Sequence, residues 1–164
     1  MFKYTICFIK QGSSILLINR QNPPNMGHWN GVGGKIEVQE APLESVAREI
    51  QEETNLTISK EQISYKGVVS WDSDQSGTNG MYVFKAEIDE NLNYETPKQT
   101  DEGILDWKTI DWVLDENNLG IGQMIPKYLP AVLNENHCYI HHFTIENKSV
   151  ISYEHKEDTK FARN

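Results

Sequence analysis

Residues 33–56 read GGKIEVQEAPLESVAREIQEETNL, and the reading of the whole chain turns on them. Leu43, Val46, Ala47 and Ile50 fall at i, i+3, i+4 and i+7, a single apolar stripe that predicts a helix over 42–54. Pro42 suits the first helical turn, where a missing N–H costs nothing. Asn55 stands where a left-handed terminating residue is expected, and Asn is the usual substitute for Gly there. Glu49, Glu52 and Glu53, also at i, i+3 and i+4, share one side of this helix. Like charges at that spacing destabilise a helix by ~0.2–0.5 kcal/mol per pair, and only Arg48 on the flank is near enough to offset them. Two readings stay open: a solvated acidic face, or a site for a hard cation. Mg²⁺ takes oxygen ligands, keeps several waters and draws the rest from substrate phosphates, which suits such a carboxylate cluster.

Just before the helix, Gly33-Gly34 permits close approach of backbone to whatever the helix carries and offers a free carbonyl as a ligand. Glu40, at the loop-to-helix junction, is placed to pair with Arg48 and fix the loop, and Lys35 adds a positive charge beside it.

Upstream, Tyr4, Ile6 and Phe8 alternate with Lys3, Thr5 and Cys7 as in a strand. Ile15-Leu16-Leu17-Ile18 is a second strand, apolar enough to be buried on both faces. Residues 20–32 are expected to be loop. Downstream, 63–71 and 81–88 flank the polar connection 72–80 as a hairpin would. Residues 89–101 read as loop, 103–108 as a short strand, and 109–116 and 121–134 as short helices, the last carrying Pro126 and Pro130. A closing hairpin is expected from 137–145 and 150–153, with the polar tail 155–164 frayed. Without repeats, linkers or composition shifts, residues 1–164 read as one domain, a mixed sheet with helices packed on it.

Composition bounds the function. A 164-residue chain with 38% hydrophobic and 24% charged residues is globular and large enough for a core without staples. Its 15 Lys+Arg against 24 Asp+Glu give a net charge of −9, which excludes duplex nucleic acid as a partner but not a nucleotide delivered with a divalent cation. Cys7 and Cys138 form no cluster, so they read as structural thiols. No targeting segment and no membrane span are visible, and a cytoplasmic location is the expectation.

The carboxylate segment resembles the Nudix box, G-x5-E-x7-R-E-U-x-E-E-x-G-U with U a bulky aliphatic. Gly34, Glu40, Arg48, Glu49, Ile50, Glu52, Glu53 and Leu56 all match. At about one in fifteen per fixed position, six identities arise about once in ten million frames. Asn55 departs from the box glycine, and Gln39 stands where many members carry Gly. The resemblance implies an α/β/α sandwich around a mixed β-sheet. It also implies hydrolysis of a nucleoside diphosphate linked to another moiety, with Mg²⁺ or Mn²⁺. On that carry-over Glu49, Glu52 and Glu53 bind metal together with the Gly34 carbonyl, and one of the glutamates activates water. Glu40 and Arg48 support the loop, and Lys35 faces the phosphates.

His28-Trp29-Asn30-Gly31-Val32-Gly33-Gly34-Lys35 is similar to the entry segment of MutT-like 8-oxo-dGTP diphosphatases. That likeness implies a base contact for Asn30, the alternative being a turn residue. Asp101-Glu102-Gly103, five positions before Trp107, resembles that subfamily's acidic site, making Glu102 a further metal ligand or water-positioning carboxylate, or else a loop-end charge. Where the mammalian enzyme carries adjacent aspartates, Met124 and Ile125 stand here, with Met124 a candidate for the base slot. Trp29 lies in the loop leading to the box and joins the candidate substrate contacts. Arg20 is either a phosphate contact or a surface charge. Trp71, Trp107 and Trp112 read as core, and His141-His142, pointing to opposite faces of a strand, as structural. Another nucleoside diphosphate derivative (ADP-ribose, a dinucleoside polyphosphate, a nucleotide sugar) or a non-catalytic binding module remain rival readings. Nothing in the sequence fixes the oligomeric state.

Overall fold

In the computed structural model, which describes residues 1–134 and 136–160, one mixed sheet carries helices on both faces. Its strands are β1 (Tyr4–Gln11), β2 (Ser14–Arg20), β3 (Trp29–Asn30), β4 (Ile63–Ser73), β5 (Gly77–Glu87), β6 (Lys98–Gln99), β7 (Gly103–Thr109), β8 (Tyr139–Glu146) and β9 (Ser149–Glu157). The helices are α1 (Pro42–Thr54), α2 (Ile110–Leu114) and α3 (Ile125–Leu133). The strand order is β6-β7-β2-β1-β5-β4-β8-β9, with β3 paired to β2. The β1–β5 and β4–β8 pairs are parallel and the others antiparallel.

The α/β/α sandwich expected from the box is what forms. On one face Val46 and Ile50 of α1 bury against Cys7, Ile9, Leu16, Ile18, Phe84 and Leu105. On the other, Val113 of α2 and Tyr128, Leu129 and Val132 of α3 bury against Ile6, Phe8, Ile15, Leu17, Val83 and Phe143. Ile15 to Ile18 are all fully buried, two on each face, which is why β2 has no polar alternation.

Several boundaries move. The β4–β5 hairpin runs further than expected, its register reaching Ser73↔Gly77, because cross-strand pairs such as Asp72–Thr78 extend it with polar side chains. Two-residue strands, β3 and β6, lie inside segments expected to be loop. Helix α3 starts at Ile125 rather than at 121, with Pro126 in its first turn, where proline is tolerated. Residues 155–157, expected to fray, continue β9; residues 161–164 of that tail lie outside the described residues. Among the described residues no helix is long and apolar enough to cross a membrane.

Candidate active site

Helix α1 spans the residues expected of it. Pro42 occupies its first turn, and the Glu44 carboxylate accepts the Ala41 N–H at 3.2 Å. Asn55 closes it in the left-handed region (φ 60°, ψ 11°), donating its N–H to the Gln51 carbonyl. Gln39 is also left-handed (φ 69°). The two positions where the box or its relatives favour glycine are therefore the two where the backbone calls for one. The helix end is held by Tyr94, whose hydroxyl donates to the Thr54 carbonyl at 2.7 Å, a support the sequence did not reveal.

The glycine pair lies along β1. Cys7 and Val32 exchange backbone hydrogen bonds, Thr5 N–H donates to the Gly34 carbonyl at 2.9 Å, and Ile36 N–H to Lys3 O at 2.8 Å. The Gly34 carbonyl thus accepts one hydrogen bond from β1 and keeps a second lone pair. A Cβ at 34 would stand 2.5 Å from Glu49 Oε1, so any larger residue there would push the Glu49 carboxylate away from the loop. Beside it, Gly33 N–H donates to Glu53 Oε2 at 3.1 Å. Two carboxylates, one helical turn apart, therefore sit directly on the glycine backbone.

Arg48 organises the flank. Its guanidinium makes a bidentate pair with Glu40 (2.8 and 3.0 Å) and also reaches Glu49 Oε1 (2.8 Å), Glu52 Oε2 (3.0 Å) and the Lys35 carbonyl (3.1 Å). Glu40 in turn accepts the Glu37 N–H. The Arg48 hydrogen bonds hold the Glu40 carboxyl down at about 2. Glu40 and Arg48 form the loop support expected of them. Glu52, by contrast, is exposed and turned to Arg48, away from Glu53.

The inner carboxylates show the opposite electrostatics. Glu53 is only 8% exposed. Burial, reinforced by Glu49 and Glu102 and opposed by the Gly33 N–H and Arg20, pushes its carboxyl up to about 8. Burial also raises the Glu49 carboxyl, against the pull of Arg48. Arg20 and Glu102 come from the paired ends of β2 and β7, where Arg20 is in register with Gly103, and both act electrostatically on Glu53. Arg20 Nε donates to the Pro24 carbonyl, and Glu102 is exposed.

Trp29 and Asn30 form β3, in register with Asn19 and Ile18. Trp29 N–H donates to the Gly120 carbonyl, and its ring meets Trp112 edge-on. Lys108 Nζ lies 4.3 Å from the Trp29 ring centroid. Trp112, expected in the core, is 37% exposed and belongs to this surface cluster instead. Lys108 went unnoticed, although its alternation with Trp107 in β7 already put the two on opposite faces. Asn30 Oδ1 accepts the Gly31 N–H at 2.9 Å. Met124 is half-buried against the core under α3, and Lys35 is exposed.

Among the described residues no three His, Cys, Asp or Glu side chains are gathered as a ready-made cation cage. Of the expected ligands Gly34, Glu49, Glu52, Glu53 and Glu102, Glu49 and Glu53 lie on the glycine backbone, Glu49 and Glu52 pair with Arg48, and Glu102 is exposed at the start of β7. The donor set nevertheless fits a divalent cation of the Mg²⁺ kind. Glu49 and Glu53 are hard oxygen donors against a close backbone cradle; Arg48 neutralises Glu49 only in part and Arg20 acts weakly on Glu53, since both carboxyls stay raised.

Comparison with known proteins bears on this geometry. Residues 3–128 match the NUDIX domain family. The chain is 30% identical over 113 residues to the uncharacterized Nudix hydrolase YvcI of Bacillus subtilis, a match covering 66% of each protein. It is 28% identical over 109 residues to the oxidized purine nucleoside triphosphate hydrolase of Danio rerio, covering 65% of each. The matched segment thus spans just under two thirds of the length of either relative. Among solved structures, the MutT protein of Bacillus halodurans superposes with a TM-score of 0.77 at 28% identity, over 95% of this chain and 98% of that one.

Proposed function

This chain belongs to the Nudix family, and we propose that it is a Mg²⁺- or Mn²⁺-dependent pyrophosphohydrolase of a nucleoside triphosphate. In this reading an oxidised purine deoxynucleotide such as 8-oxo-dGTP yields the monophosphate and pyrophosphate. The whole of residues 1–164 acts as one domain, in the cytoplasm. The observation that carries the reading is the Glu49–Glu53 pair set on the Gly33–Gly34 backbone, with Arg48 clasping the flank.

Glu49 and Glu53 would hold the cation, with Glu52, Glu102 and the Gly34 carbonyl as further oxygen donors. A bound divalent cation lowers the pKa of a coordinated water and neutralises charge on the leaving pyrophosphate. One of Glu49, Glu52 and Glu53, directly or through the cation, would take the proton of the attacking water. Arg48 and Glu40 keep the loop in place while the phosphates bind, and Arg20 and Lys35 supply positive charge from the two sides. Asn30 would contact the base, its amide offering two donors and a remaining acceptor lone pair to a purine edge. Trp29 and Met124 supply apolar surface for the base. The likeness to the Danio rerio hydrolase of oxidized purine nucleoside triphosphates supports this substrate class.

The test is hydrolysis of 8-oxo-dGTP, dGTP and ADP-ribose with and without Mg²⁺, with products identified. Mg²⁺-dependent release of pyrophosphate from a purine triphosphate is the expected result. Preferential cleavage of ADP-ribose would replace the substrate, and no hydrolysis of any member would make the chain a binding module.

A further inference from the structure

The two edges of the sheet are built differently. At one end β6 is two residues long, and the segment leading into it supports β7, with Thr96 Oγ1 accepting the Trp107 N–H. At the other end β9 runs for nine residues and pairs only with β8. A long strand with unpaired backbone groups is a template for another strand unless something blunts it.

The direction of each β9 amide follows from its register. Residues 152–157 pair antiparallel with Thr144 to Tyr139, and one residue further on Asp158 N–H donates to the Cys138 carbonyl. Because backbone groups alternate along a strand, Lys156, Glu154 and Ser152 also direct theirs to β8. Tyr153, His155 and Glu157 direct theirs outward. At the start of the strand, the outer edge is closed by Gln123, whose side chain accepts the Val150 N–H and donates to the Lys148 carbonyl. Beyond it, among the described residues, no element lies alongside β9.

We propose that the outer edge of β9 is a self-association surface, pairing antiparallel with β9 of a second copy about a two-fold axis through His155. Charge selects the occupant and the register. With the axis at His155, Glu154 faces Lys156 of the second copy, and Lys156 faces its Glu154, so two opposite-charge pairs form by symmetry. The three outward residues then form three hydrogen-bonded pairs, His155 with its counterpart and Tyr153 with Glu157 twice. Other axes lose this match. At Glu154 identical carboxylates meet; at Glu157 they meet too, with Lys156 facing only Asp158, which is buried past the end of the strand; and at Lys156 the two ammonium groups meet. At Tyr153 the charges face Ser152 and Val150, and the segment closed by Gln123 is in the way. Tyr153 stacks on Phe143 with ring centroids 4.7 Å apart, and His155 stacks on Tyr153 at 5.5 Å.

Each copy carries −9, so long-range repulsion opposes the contact. It is screened beyond ~8 Å at physiological ionic strength, whereas the close pairs are not. Sedimentation velocity from micromolar to near-millimolar protein should show a concentration-dependent dimer at that ionic strength. Glu154→Lys or Lys156→Glu alone should weaken dimerisation at least ~10-fold, by turning attraction into repulsion in both symmetric pairs. The double variant E154K/K156E should recover it. His155→Pro should abolish it while β9 stays paired to β8, because the lost N–H points away from β8. A wild-type chain that stays monomeric at every concentration would overturn the proposal. So would a double variant no better than the singles, or undiminished association of the proline variant.

Discussion

Glu53 and His141 are both buried ionisable side chains, and they lie on opposite faces of one sheet. Burial acts on them in mirror fashion: it pushes the Glu53 carboxyl up to about 8 and the His141 imidazole down to about 4. What surrounds them differs. His141 Nδ1 is 2.9 Å from the Tyr153 hydroxyl, which gives its one proton to the Lys127 carbonyl at 3.2 Å. Rings of Tyr128, Tyr139, Tyr153 and His155 enclose it. Its Nε2 has no partner, a state a neutral imidazole tolerates far better than a charged one. Glu53 has one backbone N–H and, on either side, further carboxylates. The imidazole is settled by losing its charge. The carboxyl is relieved either by holding a proton or by an added cation, because further carboxylates stand beside it, and that second route separates a candidate catalytic group from a structural buried one.

The largest effect that tests this contrast is on turnover. Glu53→Gln keeps the shape and the Gly33 hydrogen bond but removes the charge. A loss of at least ~100-fold in kcat is expected, as for removal of a single transition-state stabiliser. The fold should persist, with the cation-free variant as stable as wild type or more so, since like-charge repulsion falls. Wild-type turnover in this variant breaks the comparison at its acidic end.

The second test reads the same group through stability. The Glu53 carboxyl is raised from an ordinary value near ~4.3 to about 8 in the fold. Its contribution is therefore complete below the unfolded value and is lost as pH rises through the folded one. A cation bound to the folded form restores what was lost. The Mg²⁺-induced rise in melting temperature should thus be larger on the alkaline side of pH 8 than near pH 5, and Glu53→Gln should remove most of that difference. Calorimetry with Mg²⁺ or with a chelator checks it, and equal Mg²⁺ shifts at both pH values would count against the acid as the cation's seat.

Legibility in the sequence followed the same divide. Helix α1, its left-handed cap and the Glu40–Arg48 pair were readable because periodicity, capping and charge spacing act within a few residues. The path of the Gly34 carbonyl was not, since it depends on Thr5, far away in the chain. Glu52 was grouped with Glu53 by helical spacing alone, and its actual partner Arg48 follows from a competition among four acceptors that spacing does not rank. Strand β9 was read too short because its polar residues mask a strand paired on one edge. Trp112 was assigned to the core by residue type, whereas Trp29 and Lys108 draw it to the surface.

At the basic end, His141 supplies the opposite pH signature. Its folded value, about 4, lies below the ordinary ~6.5. Its neutral burial contributes stability that is present above ~6.5 and is lost as pH falls toward 4. His141→Phe removes this titration while keeping a ring in the stack. The stability difference between wild type and this variant should shrink in favour of the variant by ~1–3 kcal/mol across that window, at up to about 1.4 kcal/mol per pH unit. The carboxylates and the other histidines titrate in both proteins and cancel. Denaturant titrations at several pH values give the difference directly, and a gap independent of pH would mean His141 is not buried in the neutral form.

The smallest effect concerns what holds the acidic helix in place. If α1 is fixed by its termini rather than by its charges, the residue that ends it should matter through backbone conformation alone. Asn55 sits at φ 60°, a region that glycine enters freely and a β-branched residue enters poorly. Asn55→Gly should therefore be neutral or slightly stabilising, whereas Asn55→Val should cost ~1–2 kcal/mol. Glu53 lies two residues before this cap, and the neighbouring Thr54 carbonyl is held by Tyr94. Strain introduced by valine should therefore reach the carboxylate, lowering the Mg²⁺-induced melting shift along with the melting temperature, while the glycine variant keeps both. Differential scanning of the two variants with and without Mg²⁺ separates the outcomes. Equal melting temperatures would remove the cap from the account, and a lower melting temperature with an unchanged Mg²⁺ shift would show that the Gly33–Gly34 backbone, not the helix end, sets the position of Glu53.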